Sequence, residues 1–313
     1  LATLAGVATA QPFPAKPIRV IVPYAAGGAV DAMMRRVGPS ASESLGQPVV
    51  VDNRPGALGV IGMQACAGAP PDGYTLCFSV EDPVVYNPLL FTKLPYDAAG
   101  LIPVTVLATA RAMIVAKADA PFGTFKEMLA YAKANPRKVN WGTWGPATLP
   151  DLYRQWIGRT AGAEFWPIPY KGVGAGTMPA LLAGEIDVSI FTIGQIHAQL
   201  QAGKARPIAI LGDQRSALLP GVATLGEEGV EPGLPAAWAV YAPAGTPAAL
   251  VERLNDALVK ALAAPPVREL MQANTLEPIG SAPAESARFI AQLRSNAERV
   301  FRTLGIKPTD QPG

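Results

Sequence analysis

The segment Ile18-Arg19-Val20-Ile21-Val22-Pro23-Tyr24-Ala25-Ala26-Gly27-Gly28-Ala29-Val30-Asp31 carries a β-branched run into a glycine pair that releases directly into helical sequence. The first amides of a helix have no intrahelical acceptor, and the macrodipole places partial positive charge on them. A turn of this kind gathers backbone N–H groups at one spot and suits a small anion such as a carboxylate without help from Lys or Arg. The same turn also serves as a plain connector in α/β proteins, so its weight depends on the rest of the chain. Asp31, about the third helical residue, reads as a cap on its own helix start that orients the amides rather than touching a solute.

Little else in the sequence points to reaction chemistry. His197 is the only histidine, which excludes multi-histidine metal sites and leaves one position around which a Ser-His-Asp triad could form. Its setting, Gly194-Gln195-Ile196-His197-Ala198-Gln199-Leu200, reads as a helix start with the imidazole at the surface. The adjacent Glu81 and Asp82 point in different directions along the chain and make a poor acid–base pair at one reacting atom. No catalytic residue, metal site or cofactor is expected. Cys66 and Cys77 allow one disulfide or two buried thiols. Eleven residues from a helix end to mid-strand do not guarantee the geometry of a bridge, and free thiols are the expectation.

These residues need a scaffold, and its outline is legible. With 313 residues the chain suggests two lobes of ~150 residues. Charged residues are 16% of the chain and the net charge is +2 with Lys and Arg scattered singly, which excludes the basic stripe that nucleic acid requires. No apolar run reaches the ~20 residues of a membrane span. Residues 1–10 are uncharged, rich in Ala and Leu, and end in Ala8-Thr9-Ala10, the pattern of a secretory signal peptide tail; a protein exported from the cytoplasm is expected.

Strand-like runs at 18–22, 48–52 and 74–78 alternate with helices ending at Leu45 and spanning 60–67, giving half of a doubly wound sheet. A second α/β set follows, with strands near 112–116, 139–142, 165–169, 186–191 and 207–211. Thr124 and Glu127 form a predicted capping box on its first helix. A return strand at 237–243 and long helices at 247–262 and 284–304 complete the pattern. The expected architecture is a lobe from residues 11–111 and 236–313, a second lobe from 112–235, and a ligand cleft lined by strand carboxyl ends and helix starts.

Several strings stand in a recognisable order: Lys16-Pro17-Ile18-Arg19-Val20-Ile21-Val22-Pro23-Tyr24 with Gly27-Gly28 and Asp31, Leu45-Gly46-Gln47-Pro48, Asn53-Arg54-Pro55-Gly56-Ala57, and Pro71-Asp72-Gly73-Tyr74-Thr75-Leu76. Asn87-Pro88, Lys93-Leu94-Pro95-Tyr96-Asp97, Pro169-Tyr170-Lys171-Gly172 and Ala242-Pro243-Ala244-Gly245-Thr246-Pro247 follow in register. With these motifs the chain resembles the extracytoplasmic solute receptors of the tripartite tricarboxylate transporters, the Bug family, over about residues 13 to 306. The resemblance implies a two-lobe periplasmic binding protein of the Venus-flytrap type, type II-like, that is monomeric and not an enzyme. It also implies a small organic carboxylate as ligand and membrane permease subunits as partners, or a two-component sensor using the same binding chemistry.

By the same resemblance the second lobe contributes Trp141-Gly142-Thr143-Trp144-Gly145-Pro146-Ala147-Thr148, with Trp141, Thr143, Trp144 and Thr148 as ligand candidates. Trp144 is larger than the family pattern at that point: it either packs into the fold or faces the cleft and stacks on a flat solute. The loop Ser79-Val80-Glu81-Asp82-Pro83 also departs from the small polar residues of the family. Glu81 and Asp82 either cap the next turn in solvent or line the cleft, where they would repel a second carboxylate and suit an ammonium or another hydrogen-bond donor. Lys171 is expected to be a solvated loop residue, and Asp187 a structural one.

Overall fold

Two mixed sheets flanked by helices divide the strands. The computed structural model describes residues 13–170 and 176–310; the residues read as a signal peptide tail and Lys171 lie outside this set. The first sheet contains β1 (Ile18–Val22), β2 (Val49–Asn53), β3 (Thr75–Ser79), β4 (Ile102–Ala110), β10 (Ala236–Ala242) and β11 (Leu276–Pro278), in the order β11-β4-β10-β3-β1-β2. The second contains β5 (Ala112–Lys117), β6 (Val139–Thr143), β7 (Phe165–Pro169), β8 (Val188–Thr192) and β9 (Ala205–Ile210), in the order β7-β6-β8-β5-β9.

Side-chain alternation explains why four of the five residues of β1 are apolar and buried, with Arg19 alone charged and paired with Asp52. Ile18, Val20 and Val22 pack towards α1 (Ala29–Leu45) and α8 (Ala248–Ala261), against Met33, Met34, Val37 and Leu254. Ile21 points to the other face and meets α2 (Val60–Ala67) through Val60, Met63 and Cys66. A strand covered on both faces has no solvent side to alternate with, as the doubly wound reading requires.

β1 pairs in parallel with β2 and β3, and the sheet is completed by antiparallel β10, β4 and β11. Neither β4 nor β11 was legible in the sequence. Pro103 argues against a strand at β4, and the register shift beside Tyr241↔Pro103 shows how the pairing with β10 accommodates it. The Thr124–Glu127 capping box forms at the start of α4 (Phe125–Ala134), and His197 is exposed on α7 (Ile193–Gln201).

The thiol expectation is corrected. Cys66 on α2 and Cys77 on β3 are fully buried and joined as a disulfide, with Cα atoms 5.9 Å apart. Both side chains face the α2 side of the sheet, and that shared face supplies the approach that the sequence spacing left open. Closing an 11-residue separation stabilises by about 2.5 kcal/mol in the chain-entropy account. A Cys66→Ala/Cys77→Ala variant is expected to lose about that much in urea denaturation, and a loss below about 1 kcal/mol would contradict the estimate.

The chain passes between the sheets twice, through Arg111 and through residues 211–235. Arg111 ties these passages to the first sheet: its guanidinium donates to the Gln214 carbonyl at 2.6 Å and pairs with Glu277 on β11. The last helix, α10 (Pro283–Leu304), belongs to both bodies. It packs on β4, yet Ala297, Val300 and Phe301 share a core with Leu152, Tyr153 and Trp156 of α5 (Leu149–Ala161).

Candidate functional site

The same helix-start device is built twice, once for each sheet. At the first, Gly27 takes φ 83°, and its amide donates to Asp31 Oδ2 at 2.8 Å. Arg35 Nε lies 2.9 Å from both carboxylate oxygens, and Asn53 Nδ2 donates to Asp31 Oδ1 at 2.9 Å and to the Tyr24 carbonyl at 3.1 Å. The Arg35 guanidinium beside it holds the Asp31 carboxyl below its ordinary pKa, against a smaller opposing effect of burial. At the second, Ala147 takes φ 56° and its amide donates to Asp151 Oδ2 at 2.9 Å. Arg154 Nη2 reaches Asp151 Oδ1 at 2.7 Å, and Gln155 Nε2 reaches Oδ2 at 2.8 Å.

In both, an aspartate at the third helical position reaches back four residues to a left-handed residue, and an arginine one turn on holds the aspartate. Asp31 therefore has the capping role its position suggests. The expectation that the Gly27 amide is open to a ligand is corrected, because Asp31 already occupies it. The amides of Gly28, Ala29 and Val30 make no hydrogen bond among the described residues, and residues 25–29 are exposed. The anion site is consequently shorter than the sequence suggested and sits at the helix start proper.

Ala147 has a Cβ in a conformation that glycine adopts without penalty. An Ala147→Gly variant is expected to gain about 0.5–1 kcal/mol, read as a rise of roughly 1–3 °C in calorimetric Tm. A lower Tm would show that the methyl, which packs in the second-lobe core, outweighs the backbone relief.

Other second-lobe candidates divide between packing and loop. Trp141 is fully buried, with its ring edge-on to Phe165 at 5.1 Å between centroids. Its position on β6 points it into the core, which corrects its reading as a side chain for the ligand. Thr143 is buried, and its carbonyl accepts from the Tyr170 amide at 2.8 Å. Thr148 precedes α5 and donates its hydroxyl to the Gly145 carbonyl at 2.8 Å. Trp144 is half-buried against the core, and its indole N–H is enclosed without a partner among the described residues.

Beyond β3, at the same sheet edge as the start of α1, the chain forms a single π-helical turn, Asp82–Tyr86. Tyr24 leans over this edge with its hydroxyl 3.4 Å from Ser79 Oγ. Burial, then the charge of Asp82, pushes the Tyr24 pKa well above the ordinary value. Glu81 is 4% exposed and accepts from the Ala237 amide at 3.0 Å, while Asp82 is half-buried. Solvent capping is thereby corrected for Glu81, since the turn folds under the return strand β10 instead of out into water. Burial, with the neighbouring Asp82 charge added, raises the Glu81 pKa to about 8; burial alone raises Asp82.

Val85 and Tyr86 continue from this turn into the core that holds Ala147 and Leu149, with Trp144 packed against it. The loops of residues 23–28 and 79–86 meet through Tyr24 and Ser79, and residues 144–148 open the corresponding helix of the other lobe. The sequence reading missed Asn53, Tyr86 and Asp151. Asn53 and Asp151 sit in plain view beside the quoted motifs, but only the folded loops reveal what they hold. Asp187, read as structural, receives Lys117 Nζ at 2.9 Å and the Asn140 amide at 2.8 Å.

Two α/β bodies joined by two crossings, each with an aspartate-clamped helix start, have the architecture of a two-lobe solute-binding protein. The family model for the tripartite tricarboxylate transporter family receptor matches residues 33–306, and the chain belongs to this family. It is 32% identical over 309 residues to Protein BugT of Bordetella pertussis, covering 98% of this chain and 94% of that one. Among solved structures it is similar to the periplasmic binding protein BugD (28% identity, 95% and 100% of the two chains, TM-score 0.76). It is also similar to R. palustris Rpa4515 with adipate (28% identity, 95% and 100%, TM-score 0.81). The Bug resemblance read from the motifs is thereby established. No helix among the described residues is long and apolar enough to cross a membrane.

Proposed function

We propose that this protein works in the periplasm, where it captures a small organic acid between a lobe formed by residues 11–111 and 236–313 and a lobe formed by residues 112–235. It then presents the closed complex to the permease subunits of a tripartite tricarboxylate-type transporter. Residues 1–10 are the tail of its export signal, and the protein acts as a monomer without catalysis. The observation that carries the reading is the pair of aspartate-clamped helix starts, one in each lobe. One carboxylate oxygen set on the free amides of Gly28 and Ala29, and contacts from residues 144–148 on the other side, would make closure depend on the ligand.

The ligand complex of a structural relative supports the chemistry, since Rpa4515 is recorded with a six-carbon dicarboxylate. Native mass spectrometry of protein purified without refolding tests the proposal together with calorimetric titration against mono- and dicarboxylates. The expected result is one-to-one binding by at least one acid. Failure of every acid, with intact folded protein, would refute carboxylate capture while leaving the family membership in place.

A further inference from the structure

Glu81, 4% exposed, and its half-buried neighbour Asp82 stand just beyond β3 beside Tyr24, and neither forms an ion pair among the described residues. The other strongly buried carboxylates of the site are compensated: Asp31 by Arg35 and Asp151 by Arg154. A buried acid without a cation is costly to hold ionised. Among the described residues, the Ala237 amide is the one group of another residue that donates to the Glu81 carboxylate.

A second observation points to the same place. Tyr86 is 1% exposed, its hydroxyl has no partner among the described residues, and that hydroxyl lies within electrostatic reach of both Glu81 and Asp82. The indole N–H of Trp144, on the loop that opens α5 in the second lobe, is likewise enclosed and unpartnered among the described residues. Buried hydroxyls and indoles normally find partners. A group supplied from outside the chain would satisfy the acids and the hydroxyl together. Glu231, a carboxylate also within reach of Tyr86, is already satisfied by Tyr153 and by the amides of Gly212 and Gly233.

We infer that the ligand is zwitterionic: its carboxylate rests on the helix-start amides, and its far end carries a protonated nitrogen that pairs with Glu81 and Asp82 and donates to the Tyr86 hydroxyl. This rests on the carboxylate-capture reading above and deepens it. A plain dicarboxylate would bring a second negative charge to the acids and is disfavoured unless they take up protons. The ligand cation does the opposite. It favours the ionised form of both acids, whose pKa values burial has raised, so capture near neutral pH releases protons to solvent. The charged and titratable groups that face the acids from the packed elements are Tyr24, Tyr86 and Tyr241, with Arg294 acting on Tyr241 from α10.

The test uses ω-amino acids from β-alanine to 6-aminohexanoate and 4-(aminomethyl)benzoate. Each is titrated beside the dicarboxylate and the methyl-terminated monocarboxylate of matching length, in two buffers of different ionisation enthalpy. At least one amino acid is expected to bind tenfold or more tightly than both of its matched acids, with net proton release. Glu81→Gln/Asp82→Asn is expected to abolish that preference, bringing the amino acid to within about twofold of its matched monocarboxylate. Proton release by the unaltered protein reads the same point if the variant does not fold. Tighter binding of the dicarboxylate with proton uptake overturns the inference and leaves carboxylate capture standing. Binding of amines that lack a carboxylate, with no acid bound, overturns carboxylate capture, and failure of every probe overturns both.

Discussion

Replacing Asp151 with alanine is expected to destabilise the protein by about 3–5 kcal/mol and to weaken ligand capture by roughly a hundredfold or more. Asp151 is 5% exposed, and the side chain of Arg154 is 17% exposed. Removing the carboxylate leaves a guanidinium charge largely out of water and strips the Ala147 amide and Gln155 of their acceptor. The cost is that of an abandoned buried charge, which is larger than the net value of the pair. The left-handed Ala147 would then lose the acceptor that holds it, and the loop of residues 144–148 would relax. Asp31→Ala is the internal comparison. Its arginine partner is 52% exposed and re-enters water, so the expected loss is smaller, about 1–2 kcal/mol. Urea denaturation and calorimetric titration of both variants check the pair of values. Equal losses at the two sites would show that burial of the arginine does not set the penalty.

The ligand-free protein is expected to become less stable as pH rises from about 5 to about 8.5. Glu81 carries its proton in the folded state up to about pH 8, whereas an unfolded glutamate releases it near its ordinary pKa of about 4.3. Between those values the folded state binds the extra proton. The stabilisation is therefore complete below the unfolded pKa and is lost as pH climbs through the folded one. Asp82 is displaced in the same direction. Each unit of displacement is worth about 1.4 kcal/mol, which puts the total for Glu81 on the order of 5 kcal/mol. Asp31 acts in the other sense, but its depressed pKa places its effect at more acidic pH. Denaturation at half-unit steps of pH measures the slope. Glu81→Gln should flatten it, and a slope unchanged by that substitution would place the titration elsewhere.

Much of the fold was legible because its signals are local. The β-branched runs at β1 and β3, the helix over Val60–Ala67 and the Thr124–Glu127 box each occupy a few neighbouring residues and answer to period and capping alone. β4 escaped because Pro103 contradicts a strand locally, and only pairing to a strand more than a hundred residues later overrides it. The disulfide escaped for a related reason: sequence separation does not tell on which face of a sheet a cysteine stands.

The site was legible to the level of loops and no further. The first loop was located from its glycines, but whether an amide is free depends on the carboxylate four residues on. Trp141 and Trp144 are three residues apart and look equivalent in sequence. One lies within a strand and faces the core, and the other begins the loop. Glu81 shows the limit most clearly, since a charged residue beside a proline is ordinarily solvated, and nothing nearby in sequence announces that β10 will cover it.

The straddling position of α10 has a mechanical consequence. Two covalent passages alone would let the bodies swing freely about a line through Arg111 and the later crossing. The final helix adds a splint, bonded to one body along its first turns and seated in the other through Ala297, Val300 and Phe301. A wide gape would have to unseat those apolar side chains, so the rotation axis is pulled towards the splint and the jaw opens farthest on the side away from it.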